Sequence, residues 1–194
     1  MKTLVGILLT IALVVTGSSM FLTSLLESNI QSGSTCGSNA NSERSASSAL
    51  EPGDRVPSFE LKLLGDGETV TDKSLRGSYY LIYFWSTSCG ICHREMPVLN
   101  DVYQEFKDDN FNILSITGGS DHGEIHEFLE EYNLTQWKTA LIDMDEDSLR
   151  KIQNTFDLRG VPHKVLVSPE GEVLHVSRGY SGDEMLKDYA AYLK

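Results

Sequence analysis

The chain has 194 residues, and its 16 Lys and Arg stand against 28 Asp and Glu for a formal net charge of −12. A field of that sign repels a polyanion, so general nucleic-acid binding is excluded. With 40% hydrophobic and 23% charged residues the composition is that of a globular protein, and the length suits one domain plus an appendage.

The appendage comes first. Leu4 to Leu26 carries no charge, follows Lys2 and precedes Glu27, which is the pattern of an export or anchoring segment. Two readings are open over residues 1–26. In one, Leu4 to Val15 is the core of a signal peptide cut within Thr16-Gly17-Ser18-Ser19. In the other, the whole apolar stretch crosses a bilayer, reaching about 35 Å at helical rise, with Lys2 held inside. The anchor is favoured, because Phe21, Leu22, Leu25 and Leu26 carry the apolar run further than a signal peptide needs. Both readings place the remainder outside the cytoplasm, tethered to the membrane or released after cleavage.

Residues 27–53 are rich in Ser, Gly and Asn with little to bury, and such a segment does not offset its ordering entropy. It is expected to be a flexible tether. Cys36 falls inside it and is read as an incidental thiol, with intermolecular pairing or modification as the alternatives. Its Gly-Ser-Thr-Cys setting, far from the apolar core, does not fit a lipoprotein.

The folded domain is expected over residues 54–194, about 140 residues and enough for a core. Phe59 to Leu64 and Glu68 to Thr71 flank Gly65-Asp66-Gly67 and predict a hairpin. Tyr79 to Trp85 is a continuous apolar run, as in a strand buried on both faces. Cys89 to Phe106 has Met96, Leu99, Val102 and Phe106 at helical spacing. Phe111 to Thr117 predicts a strand, Glu124 to Tyr132 a helix, Thr139 to Ile142 a strand and Asp147 to Phe156 a helix. Lys164 to Ser168 and Glu172 to Ser177 flank the turn Pro169-Glu170-Gly171, and Asp183 to Leu193 is an amphipathic helix. This order predicts an α/β fold, a central mixed sheet flanked by helices. The acids Asp143, Asp145, Glu146 and Asp147 lack the loop glycine and terminal glutamate of a calcium hand and read as a solvated helix start.

The chemistry is concentrated at Cys89-Gly90-Ile91-Cys92. Two cysteines at this spacing at a helix start close a disulfide within one turn. The first sulfur faces the unpaired amides and positive end of the helix, which lowers its pKa and makes it the attacking thiolate, while the second resolves the mixed disulfide. A zinc site wants a second such pair, and the domain has none. Cys89-Gly90-Ile91-Cys92-His93 also satisfies the pattern for covalent haem attachment, but the predicted strand, turn and helix offer no haem pocket. A purely structural disulfide across so short a loop restrains little chain entropy.

The segment from Phe84 to Pro97, Phe-Trp-Ser-Thr-Ser-Cys-Gly-Ile-Cys-His-Arg-Glu-Met-Pro, resembles the active-site segment of the TlpA-like family of thioredoxin-fold thiol-disulfide oxidoreductases. Gly160-Val161-Pro162, followed by the strand from Lys164 and by Pro169-Glu170-Gly171, resembles the cis-proline loop and hairpin of that family. The interval between the two motifs leaves room for the strand and helix that the family inserts into the thioredoxin core. The resemblance implies an exported or membrane-tethered enzyme with no cofactor. It acts on proteins carrying disulfides or thiols, draws electrons from a membrane carrier and works in settings such as cytochrome c maturation.

By the same resemblance Cys89 is the nucleophile and Cys92 the resolving thiol, joined as a disulfide when oxidised. Glu95 matches a glutamate that assists proton transfer, a solvated glutamate being the alternative. Pro162 sets its loop against the disulfide, and Val161 offers its backbone to an extended substrate. Trp85 and His163 are expected beside the substrate groove, and His93 on the solvent side of its helix. Pro97 is expected to kink that helix. The chain departs from relatives at three places. Tyr83 stands where cytosolic thioredoxins keep a buried aspartate, Ser88 replaces a frequent tryptophan, and Gly90-Ile91 lacks the frequent proline. A peroxide reductase with the same chemistry and a non-catalytic peptide-binding module are the rival functions.

Overall fold

The structure is a computed structural model that describes residues 49–119, 121–182 and 184–193. The export or anchor segment, most of the tether and Cys36 lie outside the described residues. Among the described residues no helix is long and apolar enough to cross a membrane.

The elements run β1 (Glu60–Leu63), β2 (Thr69–Thr71), β3 (Tyr79–Trp85), α1 (Gly90–Phe106), β4 (Phe111–Gly118), α2 (His122–Glu131), β5 (Lys138–Ile142), α3 (Glu146–Phe156), β6 (His163–Val167), β7 (Val173–Arg178) and α4 (Glu184–Leu193). One sheet holds all seven strands in the order β2-β1-β5-β4-β3-β6-β7. The β3, β4 and β5 strands are parallel, β6 runs antiparallel to β3, and β7 runs antiparallel to β6. The predicted first hairpin forms antiparallel, with Leu61 opposite Val70, and its β1 then pairs with β5 through Lys62 and Leu63.

The β3 strand is central because its side chains alternate between two apolar layers. Tyr80, Ile82 and Phe84 face one layer with Val165, Val167, Ile152 and Phe156. Leu81, Tyr83 and Trp85 face the other with Met96, Leu99 and Val102 of α1, Ile125 and Leu129 of α2, and Met185 and Tyr189 of α4. The active-site helix therefore lies on one face of the sheet and α3 on the other. Pro97 sits inside α1 without ending it.

Two short segments complete the body. Leu50 is buried, the Gly53 amide donates to the Val173 carbonyl at 2.8 Å and the Val56 amide to Gly171 at 3.0 Å. Residues 50–53, at the end of the stretch expected to be tether, thus belong to the folded body, because β7 has backbone groups there that need partners. The turn before β7 requires Gly171 at φ 77°, and a Cβ there would collide with the Arg76 guanidinium.

Candidate active site

The β3 strand delivers the chain to the carboxyl end of the parallel strands, and Ser86-Thr87-Ser88 turns it into α1. Cys89 is the N-cap of that helix in extended conformation, and its sulfur accepts a hydrogen bond from the Cys92 amide at 3.2 Å. The Cys89 and Cys92 sulfurs are joined in a disulfide, their Cα atoms 5.2 Å apart. Cys89 is half-buried, whereas Cys92 is 0% exposed. An incoming thiolate has access to the Cys89 sulfur and would displace Cys92 as the leaving thiolate, and in the reduced pair a Cys89 thiolate sits against helix amides and the positive helix end, which stabilise it.

The opposite wall is the loop before β6. The Val161–Pro162 peptide is cis, and the Val161 carbonyl oxygen lies 3.8 Å from the Cys89 sulfur. Ile91 is 42% and Tyr180 51% exposed, and the Arg94 guanidinium lies over the Tyr180 ring at 5.7 Å.

Glu95 is not solvated. It is 0% exposed on the inner face of α1, one turn beyond Cys92. Its Oε1 accepts from Lys164 Nζ at 2.6 Å and from the Ser181 amide at 2.9 Å, and Lys164, also 0% exposed, donates to the Gly179 carbonyl at 2.7 Å as well. Burial pulls the Lys164 ammonium below its usual range, against the opposing hold of Glu95. Sequence reasoning missed Lys164, although a lysine inside His163-Lys164-Val165-Leu166-Val167 carried the signal: a charge within an apolar strand needs a buried counter-charge.

Two expected groove residues turn out to be core. Trp85 is 2% exposed and stacks on Phe128 with ring centroids 5.1 Å apart, so it supports the loop from beneath. His163 follows the cis-proline, but strand alternation points its ring into the sheet layer away from α1, edge-on to Phe84 at 5.8 Å and 0% exposed. It therefore touches neither a docking partner nor Cys89. His93 is half-buried, with Nε2 2.7 Å from the Thr87 carbonyl and its ring 4.6 Å from that of Phe128. It fastens the active loop to α2 and is not solvent-facing as expected.

Burial first, and then the Arg178 charge, lowers the His163 pKa from 6.5 to about 4, and neither ring nitrogen has a hydrogen-bond partner among the described residues. The folded state thus favours the neutral ring. Its contribution is complete above the unfolded value of about 6.5 and is lost as pH falls toward 4, on the order of 3 kcal/mol. Urea unfolding at pH 7 and pH 4.5 is expected to show this loss, and His163→Phe, which keeps an aromatic ring beside Phe84, to reduce it.

The AhpC/TSA family matches residues 52–176. A thiol-disulfide oxidoreductase, ResA, from Bacillus subtilis is 26% identical over 146 residues, covering 75% of this chain and 78% of that protein. The protein of the same name from Halalkalibacterium halodurans is 25% identical over 175 residues, covering 90% and 94%. Among solved structures, the thioredoxin domain of a thiol-disulfide oxidoreductase from Bacteroides vulgatus superposes with a TM-score of 0.66 at 25% identity, covering 75% of this chain and all of that one. A protein from Chlorobium tepidum described as a thiol:disulfide interchange protein shares the fold, with a TM-score of 0.64 at 22% identity and coverage of 75% and 100%. The matched span holds both the disulfide and the loop that faces it, and the chain belongs to the AhpC/TSA family as a thioredoxin-fold thiol-disulfide oxidoreductase.

Proposed function

We propose that this oxidoreductase is a reductase of protein disulfides outside the cytoplasm, held at the membrane by residues 4–26 and the tether that follows, and recharged by a membrane electron carrier. The observation that carries the reading is the asymmetry of the two sulfurs: Cys89 is reachable at the helix N-terminus and Cys92 is sealed beneath it. In the working cycle the Cys89 thiolate attacks a substrate disulfide, and Cys92 then displaces the reduced substrate sulfur. Val161 and Pro162 line the groove in which an extended substrate chain lies, and Glu95 takes the proton that Cys92 must lose. The direction is supported by the resemblance of Phe84 to Pro97 to tethered reductases. Cytochrome c maturation and general disulfide homeostasis are the two settings this implies.

The test is the reduction potential of the Cys89–Cys92 couple, set by equilibration with dithiothreitol or glutathione buffers and read by thiol trapping. A value toward that of thioredoxin, about −270 mV, is expected of a reductase, and one near −120 mV would make the protein a disulfide donor instead. A peroxide reductase would be revealed if hydrogen peroxide oxidised the dithiol as fast as a protein disulfide does. A mere binding module would show no reversible couple at all.

A further inference from the structure

A row of polar side chains crosses the sheet directly beneath the active-site helix. Tyr83 on β3 is in register with Lys164 on β6, and Lys164 with Ser177 on β7. Cross-strand partners share a face, and here it is the face covered by Glu95 of α1 and Tyr189 of α4. Tyr83 and Tyr189 are 0% and 1% exposed, and the Glu95 charge acts on both. Burial, reinforced by that charge, pushes both phenols up, so they keep their protons throughout the neutral range. Asp188 of α4 adds a weaker negative influence on Tyr189.

The two oxygens of Glu95 are used differently. Oε1 takes both described hydrogen bonds, from Lys164 and from the Ser181 amide, whereas Oε2 is buried and accepts none among the described residues. Cys92 is one helical turn away on the same buried face, and residues three apart on a helix are neighbours.

We propose that Lys164 is a positioning residue for the exchange reaction: its ammonium holds Oε1 of Glu95 and leaves Oε2 to receive the Cys92 proton. The proposal rests on the redox reading of the preceding section. In the step concerned, Cys92 attacks the mixed disulfide, the bond between its sulfur and that of Cys89 forms, and the bond from Cys89 to the substrate sulfur breaks. The electron pair leaves with the substrate thiolate, the Cys92 proton passes to Glu95, and the dithiol is oxidised by two electrons as the substrate disulfide is reduced. Without the ammonium the buried carboxylate would lack a counter-charge, would hold a proton to higher pH, and would be a poorer acceptor at neutral pH.

The test uses the reduced full-length chain with Cys36→Ser, which leaves Cys89 and Cys92 as its thiols, and the disulfide of 5-thio-2-nitrobenzoate, whose thiolate release then has two phases: attack by Cys89, then resolution by Cys92. Lys164→Met and Lys164→Gln, the latter retaining a neutral donor, are each expected to leave the first phase intact. Both slow the second about tenfold at pH 7 and move its rising limb to higher pH. The neutral pair Lys164→Met with Glu95→Gln removes both charges, so its fold does not hang on an unpaired ion, and its second phase is expected to equal that of Glu95→Gln alone. A wild-type second phase and pH profile in the folded single variants overturns the assignment. So does a further tenfold slowing in the double variant, which would give Lys164 a role independent of Glu95. Failure of the first phase in the wild-type protein would overturn the redox reading itself.

Discussion

Cys92→Ser is expected to stall the enzyme as a covalent complex with its substrate. The accessible sulfur of Cys89 still attacks, but the buried position that should deliver the second thiolate holds a hydroxyl, far too weak an acid to act as a nucleophile at neutral pH. Mixed disulfides through Cys89 should accumulate to near stoichiometry and dissolve on addition of dithiothreitol, visible as a mass shift on non-reducing gels. Cys89→Ser should form none through Cys92, because that sulfur is 0% exposed and a substrate disulfide does not reach it. Turnover falls to the uncatalysed background in both variants. If complexes through Cys92 instead accumulated with Cys89→Ser, the order of attack would be reversed.

The largest effect on stability is expected at Phe156. Its ring is 0% exposed at the end of α3 and lies 5.0 Å from that of Phe84 and 5.7 Å from that of Phe59. It joins the helix to the central strand and to the segment entering β1. Phe156→Ala removes that ring and leaves a cavity that the flanking aromatics cannot close, at a cost of about 3–5 kcal/mol. Measured against a domain stability of about 5–15 kcal/mol, this is a large fraction. The melting temperature should fall by roughly 10 °C. A drop of only a degree or two would mean that this layer repacks freely and that α3 is held by other contacts.

The two apolar layers explain why so many elements were readable in the linear chain. Tyr79 to Trp85 is buried on both faces and lacks polar interruption, so a central strand is the only regular element that suits it. In α1 the apolar side chains recur with helical period, and the cysteines sit where a helix must begin, so local spacing alone located the reactive pair. Boundaries shifted by a residue or two at β1, β6 and α2, where caps and pairing partners set the ends. The short 3-10 turn Lys73–Leu75 had no local signature.

The site was legible only as far as chemistry is local. Cys89 and Cys92 announce themselves because thiol exchange needs two sulfurs within one helical turn, and that condition lies within four consecutive residues. The environment of Glu95 is different in kind. Its partner Lys164 is 69 residues away in the chain, and only the antiparallel pairing of β6 with β3 brings that lysine under α1. The same pairing decided against His163 as a groove residue, and the stack on Phe128 of α2 against Trp85. Adjacency to a motif says nothing about which face of a strand a side chain takes, and one residue of register turns a ring from the groove into the core. The sequence by itself thus determined the fold class and the pair of reactive sulfurs. Only the tertiary structure decided which charges are buried together and which neighbours of the motif face the substrate, because both depend on contacts between strands that are distant in the chain.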